Sequence, residues 1–197
     1  MKNVLVISSS IHGDSATSHA LSHHFLANLG SESCHVVHRD FAKNPLPHLS
    51  EAEFSSWSIP NEDKNDEERR LSELSDTIVE EVMKAELIVV SAPMYNFGIP
   101  SSLKAWIDRL ARAGKTFNYT ENGPKGLLGG RKLVILATRG GSYKGTPMDS
   151  QTDYLKTLFN FLGITDIEFV YAEGLAQSGQ REKSISEAKS QLDALVQ

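Results

Sequence analysis

Five short apolar runs alternate with segments of helical periodicity, and this alternation constrains the chain more than any other feature. The runs span residues 3–7, 34–38, 87–91, 132–138 and 167–172. Between them, residues 17–29 place Leu21, Phe25 and Leu29 four apart, and residues 71–84 place Leu71, Leu74, Ile78 and Val82 on one side. Residues 154–162 and about 182–195 continue the pattern, the last with Ile185, Ala188, Leu192 and Leu195. A further helix opens at Ser101. Continuous apolar runs belong to strands buried on both faces, and strands joined through helices run parallel.

The expected fold is therefore α/β: a doubly wound, five-stranded parallel sheet with helices on both faces, built as one domain over residues 1–197. Right-handed crossovers leave few strand orders. A short second strand suits an edge, which favours the flavodoxin-like order 2-1-3-4-5, and pattern alone leaves the other common doubly wound order open. Two stretches exceed ordinary connections: residues 44–66, with Pro45, Pro47 and Pro60, and the Gly-rich residues 116–130. Each is expected to cover a surface or a partner.

Composition excludes several classes. A net charge of −5 over 197 residues disfavours nonspecific nucleic-acid binding, which rests on neutralising phosphates. No apolar run approaches the roughly 18 residues of a membrane span. The chain enters its first strand at once, without the layout of a signal peptide, so a cytoplasmic location is expected. Cys34 is the single cysteine, which precludes an intrachain disulfide and a cysteine metal cluster.

Chemistry concentrates in the loops after the first, third and fourth strands. The first, residues 8–18, is rich in hydroxyls and opens a helix, where backbone N–H groups and the helix dipole favour an anion. It contains no lysine, and both G-x-x-x-x-G-K-[ST] and G-x-G-x-x-G are absent. Helix capping by Ser15 or Thr17 explains the same residues equally well in isolation. The second loop carries Met94, Tyr95, Asn96 and Phe97, which suit a flat heteroaromatic ligand; apolar packing on the sheet end is the competing account. The third, Thr138, Arg139, Gly140, Gly141 and Ser142, lets backbone approach a ligand closely, although Gly-Gly pairs are also common in plain turns. In a 2-1-3-4-5 sheet the three loops meet at one crevice. Phosphate at the first and ring at the other two is the layout of bound FMN.

Other residues rate lower. His12 is placed to assist proton transfer but reads first as a solvated loop histidine. His19, His23 and His24 lack carboxylates at metal spacing in the sequence, so no metal site is expected. Asp108 and Arg109 read as helix-surface pairs, and Cys34 as a small strand hydrophobe. Ser8, Ser9 and Ser10 lack a nucleophile elbow and a positioned His/Asp pair, which argues against a hydrolase.

Several longer motifs carry a family resemblance. The run from Pro93 to Phe97, the stretches 111–117 and 119–124, Gly126 with Leu127, Arg139-Gly140-Gly141, and residues 163–166 together resemble the bacterial FMN-dependent NADH-azoreductases, which also act as quinone reductases. The likeness covers nearly the whole chain. It implies a flavodoxin-like homodimer with active sites at the interface, one FMN per subunit, NADH as electron donor, and quinone or azo substrates. It assigns Ser10, Ala16, Thr17 and Ser18 to the phosphate side of FMN. Met94, Tyr95, Asn96 and Phe97 fall on the isoalloxazine side, with Thr138, Arg139, Gly140 and Gly141 at the pyrimidine end. Ala16 stands where serine is frequent, which removes a hydroxyl but keeps the backbone N–H, and Thr138 replaces a serine while keeping the hydroxyl. The resemblance further implies that Tyr119 and Phe161 line the substrate pocket, Tyr119 across the dimer. No side chain is assigned a catalytic role, because the chemistry would lie at flavin N5. Two other classes share parts of this pattern: a flavodoxin-type one-electron carrier, and a binding module without redox chemistry.

Overall fold

Residue alternation divides the apolar runs between two cores. Leu5, Ile7, Ile88, Val90, Leu133 and Ile135 are buried in one cluster, whereas Val4, Val6, Leu87, Val89, Val134 and Leu136 are buried in another. Successive side chains of a strand point to opposite faces, so the two clusters lie on the two sides of one sheet. The computed structural model describes residues 1–30 and 34–196. Along the chain run β1 (Lys2–Ser8), α1 (Thr17–Asn28), β2 (Cys34–Asp40), α2 (Glu51–Ser56), α3 (Asp66–Lys84), β3 (Leu87–Ser91), α4 (Ser101–Leu110), β4 (Phe117–Thr120), β5 (Gly123–Gly126), β6 (Lys132–Thr138), α5 (Ser150–Phe161), β7 (Asp166–Ala172) and α6 (Arg181–Ala194). The main sheet is ordered β2-β1-β3-β6-β7, with every pairing parallel. Its strands are the five expected ones, in the expected order 2-1-3-4-5.

Helices cover both faces. Leu21 and Phe25 of α1 join Ala188 and Leu192 of α6 in one core. Ile78 and Val82 of α3, Leu103 and Trp106 of α4, and Leu155 and Phe159 of α5 fill the other. Because β1 pairs with β2 on one side and β3 on the other, the chain changes direction across the sheet between β1 and β3. A crevice opens at the strand carboxyl ends at such a reversal.

The differences from expectation trace to particular contacts. Helix α3 begins at Asp66, five residues before its first apolar position. Asn65 Oδ1 accepts from Glu68 N at 2.9 Å while Glu68 Oε2 accepts from Asn65 N at 2.8 Å, so a capping box nucleates a fully charged first turn. The 44–66 stretch forms α2, whose Glu53 is buried. Arg109 is not on the surface: its Nε and Nη2 donate to the two Glu53 oxygens, each at 2.7 Å, and its Nη1 donates to Pro47 and Ala105 carbonyls. Asp108 does form the expected surface pair, with Lys104.

The 116–130 stretch forms the β4–β5 hairpin. It is seated on the end of α5, where a Cβ on Gly126 would lie 2.1 Å from Gly163 N. Only glycine permits that approach. Cys34 is partly buried on β2 against the second core. Among the described residues no helix is long and apolar enough to cross a membrane.

Candidate active site

The first loop leaves β1 through three buried serines. Ser9 Oγ donates to the Ser91 carbonyl, tying the end of β1 to β3. Ser10 Oγ lies 3.1 Å from the Tyr95 phenol, which also accepts from Ile11 N at 3.3 Å. One phenol therefore links the first loop to the second.

The capping explanation for this loop does not hold. Ala16 is the N-cap of α1 and offers no side-chain acceptor. Ser15 Oγ donates instead to the His12 carbonyl at 2.9 Å, and Thr17 Oγ1 accepts from Arg181 Nη2 at 2.9 Å. The first-turn N–H groups of α1 thus receive no protein side chain at the N-cap. Ser18 Oγ, on the same turn, is buried and makes no hydrogen bond. A buried hydroxyl without a partner is costly unless something else satisfies it. An uncapped helix start, an unpaired hydroxyl and a neighbouring guanidinium fit a phosphate monoester.

Opposite this loop, the chain after β3 makes a tight turn. Tyr95 and Gly98 exchange two backbone hydrogen bonds of 3.0 Å, and Asn96 and Phe97 between them have φ of 49° and 64°. Two consecutive left-handed residues form the hairpin turn that normally prefers glycine at its second position. Asparagine tolerates this geometry, but phenylalanine stores strain there, and such strain concentrates at functional sites. Tertiary contacts hold it: Ser150 Oγ donates to the Phe97 carbonyl, and the Phe97 ring stands edge-on to Tyr143, 5.6 Å between centroids.

The third loop is built around Arg139. Its side chain is fully buried, with Nη1 donating to Glu173 at 3.0 Å and Nη2 to Asp149 at 2.8 Å and Thr152 at 3.0 Å. Burial alone would raise the Asp149 carboxyl, but hydrogen bonds from Arg139 and Thr152 outweigh it and hold the group below its ordinary range. Glu173 also accepts from the backbone N–H of Tyr143 and Lys144, each at 2.9 Å. The guanidinium thus braces the loop, and the Arg139 backbone is held too, its N–H donating to the Ala172 carbonyl at 2.9 Å and its carbonyl accepting from Leu175 N at 3.1 Å.

A cavity of about 200 Å³ joins the three loops. Ser10, Ala16, Thr17 and Ser18 line one side, Met94 and Tyr95 the second, and Thr138, Arg139 and Gly140 the third. Asn96, Phe97 and Gly141 belong to the same loops but not to this wall. Tyr119 and Phe161 lie elsewhere: both pack on Phe117, at 5.4 and 4.6 Å between centroids, beside the β4–β5 hairpin.

Other site residues had no usable sequence signal. Arg181 reaches Thr17 from 164 residues away, Leu175 lines the cavity, and Gln151 Nε2 donates to the Ala92 and Pro93 carbonyls at 3.2 Å. His19 is also not isolated from carboxylates, since it lies between Asp14 and Asp40.

A parallel sheet with this order, and a crevice pairing an anion site with an aromatic, glycine-bearing wall, defines a flavodoxin-like protein. The chain belongs to the family described as flavodoxin-like fold, whose model matches residues 2–196, and within it to the bacterial FMN-dependent NADH:quinone oxidoreductases and azoreductases. It is 47% identical over 197 residues to the FMN-dependent NADH:quinone oxidoreductase of Vibrio parahaemolyticus, covering 100% of both chains. It is 44% identical to the protein of that name from Cellvibrio japonicus, covering 98% of each. Among solved structures, the FMN-dependent NADH-azoreductase of Bacillus anthracis in complex with FMN superposes with a TM-score of 0.89. That enzyme is 27% identical, and the match covers 100% of this chain and 98% of the other. The protein is an oxidoreductase.

Proposed function

We propose that this chain binds FMN in the crevice and acts as an NADH:quinone oxidoreductase that also reduces aromatic azo compounds. The observation that carries the reading is the uncapped start of α1, with its unpaired buried Ser18 hydroxyl, facing the strained Tyr95–Gly98 turn across one cavity. Ser10, Ala16, Thr17 and Ser18 hold the phosphate, with the Arg181 guanidinium adding positive charge. Met94, Tyr95, Asn96 and Phe97 flank the ring, and Thr138, Arg139, Gly140 and Gly141 line its polar edge, with the Gly140 and Gly141 N–H groups facing it.

FMN held by these residues would supply two-electron chemistry at N5, with hydride coming from NADH and passing, together with a proton from solvent, to a quinone or azo acceptor that follows NADH into the same site. The protein orients and excludes. Backbone N–H groups of the 140–141 segment, held in place by the Arg139 cluster, stabilise negative charge at the N1/O2 edge. The Phe97–Tyr143 pair at the rim offers flat apolar area for a planar reactant, selecting shape over polar pattern. Tyr119 is 77% exposed and, with Phe161, lies off the cavity wall. Their place in the substrate pocket therefore requires a second copy, whose hairpin reaches over the crevice. A cytoplasmic homodimer completes the proposal.

The test is anaerobic stopped-flow of FMN-loaded protein with NADH, following flavin absorbance. Rapid bleaching, reversed by a quinone or an azo dye, is the expected result. Bound FMN that NADH leaves unbleached would overturn the reading in favour of a one-electron carrier. Sedimentation of the same preparation checks the dimer.

A further inference from the structure

Behind the phosphate-side loop lies a group of side chains that the flavin chemistry does not use. His19, on α1, is 2% exposed, and neither of its ring nitrogens has a hydrogen-bond partner. Asp40, at the end of β2, is 7% exposed; its Oδ1 accepts from Ala42 N at 2.9 Å, while its Oδ2 has no hydrogen-bond partner. His19 Nδ1 stands 3.5 Å from Asp14 Oδ1 and Nε2 stands 3.9 Å from Asp40 Oδ2. One donor atom from each of the three residues falls within 4.8 Å of the others. The donors come from three elements: the turn before α1, α1 itself, and the end of β2.

A cation is already drawn to this point. The Lys43 ammonium lies 2.9 Å from Asp14 Oδ1 and 3.6 Å from Asp40 Oδ2, on a side chain that is more than half exposed. It balances carboxylate charge but leaves both imidazole nitrogens unpaired. Unpaired buried polar atoms are expensive, and the lone-pair nitrogen of His19, set between two carboxylates, asks for a ligand that accepts electron pairs.

We propose that Asp14, His19 and Asp40 form a binding site for a first-row divalent metal ion such as Zn²⁺, which displaces the Lys43 ammonium from between the two carboxylates. One imidazole nitrogen and two carboxylate oxygens match the preferences of these ions. Ligands about 2.0–2.2 Å from a metal must draw closer together than they stand here. The exposed Asp14 side chain is free to supply that movement, while the buried His19 and Asp40 provide the fixed part of the site. Only one ring nitrogen binds the ion. The other keeps its proton. Since Asp14 lies within the 8–18 loop, the ion would fasten the phosphate side of the crevice to the end of β2.

The test is titration of FMN-saturated, chelator-treated protein with Zn²⁺ by calorimetry, and with Co²⁺ by its d–d absorption. One equivalent per chain is expected. Asp14→Asn, at an exposed position with little risk to folding, should weaken binding about tenfold or more. Lys43→Met removes the competing ammonium and should tighten it. His19→Gln should alter the Co²⁺ spectrum by removing a nitrogen ligand. Absence of binding in both the wild type and Lys43→Met would overturn the proposal. So would affinity unchanged by Asp14→Asn, which would place the ion elsewhere.

Discussion

Arg109 and Arg139 are both fully buried guanidinium groups held by carboxylates, yet they sit at opposite ends of what a buried charge can do. Arg109 is gripped at both ends by Glu53 and by two backbone carbonyls, all from α2, its approach and its own helix. It fastens an insertion to the core, remote from the crevice. Arg139 divides its donors among Glu173, Asp149 and Thr152, and leaves Nε without a partner. Its acceptors are the same groups that hold the 143–144 backbone and the start of α5. The first arginine is a closed bidentate pair; the second is a hub that tolerates an unsatisfied atom to set the shape of a loop. Removing one partner of a buried ion pair costs about 3–5 kcal/mol, and for Arg109 that cost should appear as stability, whereas for Arg139 it should also appear as ligand affinity.

Glu53→Ala provides the largest test. It leaves Arg109 buried and unpaired, and should lower unfolding free energy by about 3–5 kcal/mol in urea denaturation while leaving the FMN affinity of the folded protein unchanged. A matching loss of affinity would erase the distinction between the two arginines. Glu173→Gln comes next. Weakening the hub should cost about 1–3 kcal/mol of stability and about tenfold in FMN affinity, equivalent to about 1.4 kcal/mol, measured by quenching of flavin fluorescence. Stability lost without affinity would make Arg139 a second Arg109.

Phe97→Gly probes the neighbouring strain. Glycine accepts φ of 64° freely, so the variant should gain up to about 1 kcal/mol in thermal unfolding. The same change removes a rim aromatic and should raise KM for planar acceptors more than it alters kcat.

The smallest effect concerns acid. The Asp149 carboxyl is held low by Arg139 and Thr152 against the opposing effect of burial. Its contribution is fully present above the unfolded carboxylate pKa of about 3.9 and is lost as pH falls through the lower folded value. Melting temperature should therefore fall more steeply below about pH 4 in the wild type than in Asp149→Asn. Parallel curves would remove Asp149 from the hub.

Much of the crevice is legible in the amino-acid sequence. Parallel strands buried on both faces announce themselves as apolar runs, and the 95–97 and 139–141 loops follow two of them directly. Local signals also misled where the deciding partner was distant. Arg109 reads as a surface residue because helix periodicity does not register Glu53, 56 residues away. Arg139 reads as a ligand contact because its position in the loop is local, whereas the direction of its side chain depends on Asp149 and Glu173. The 116–130 stretch reads as an insertion because the seat of its hairpin, Gly163, lies beyond it in the chain.

By itself, then, the sequence determined the five buried parallel strands and the three loops that follow them, since apolar periodicity and glycine placement act over a few residues, while it favoured the strand order without fixing it. Only the tertiary structure decided which buried charges are paired, that α1 begins without a side-chain cap, and that Asp14, His19 and Asp40 converge. Those outcomes depend on desolvated groups finding partners across tens to more than a hundred residues, and no local pattern records that pairing.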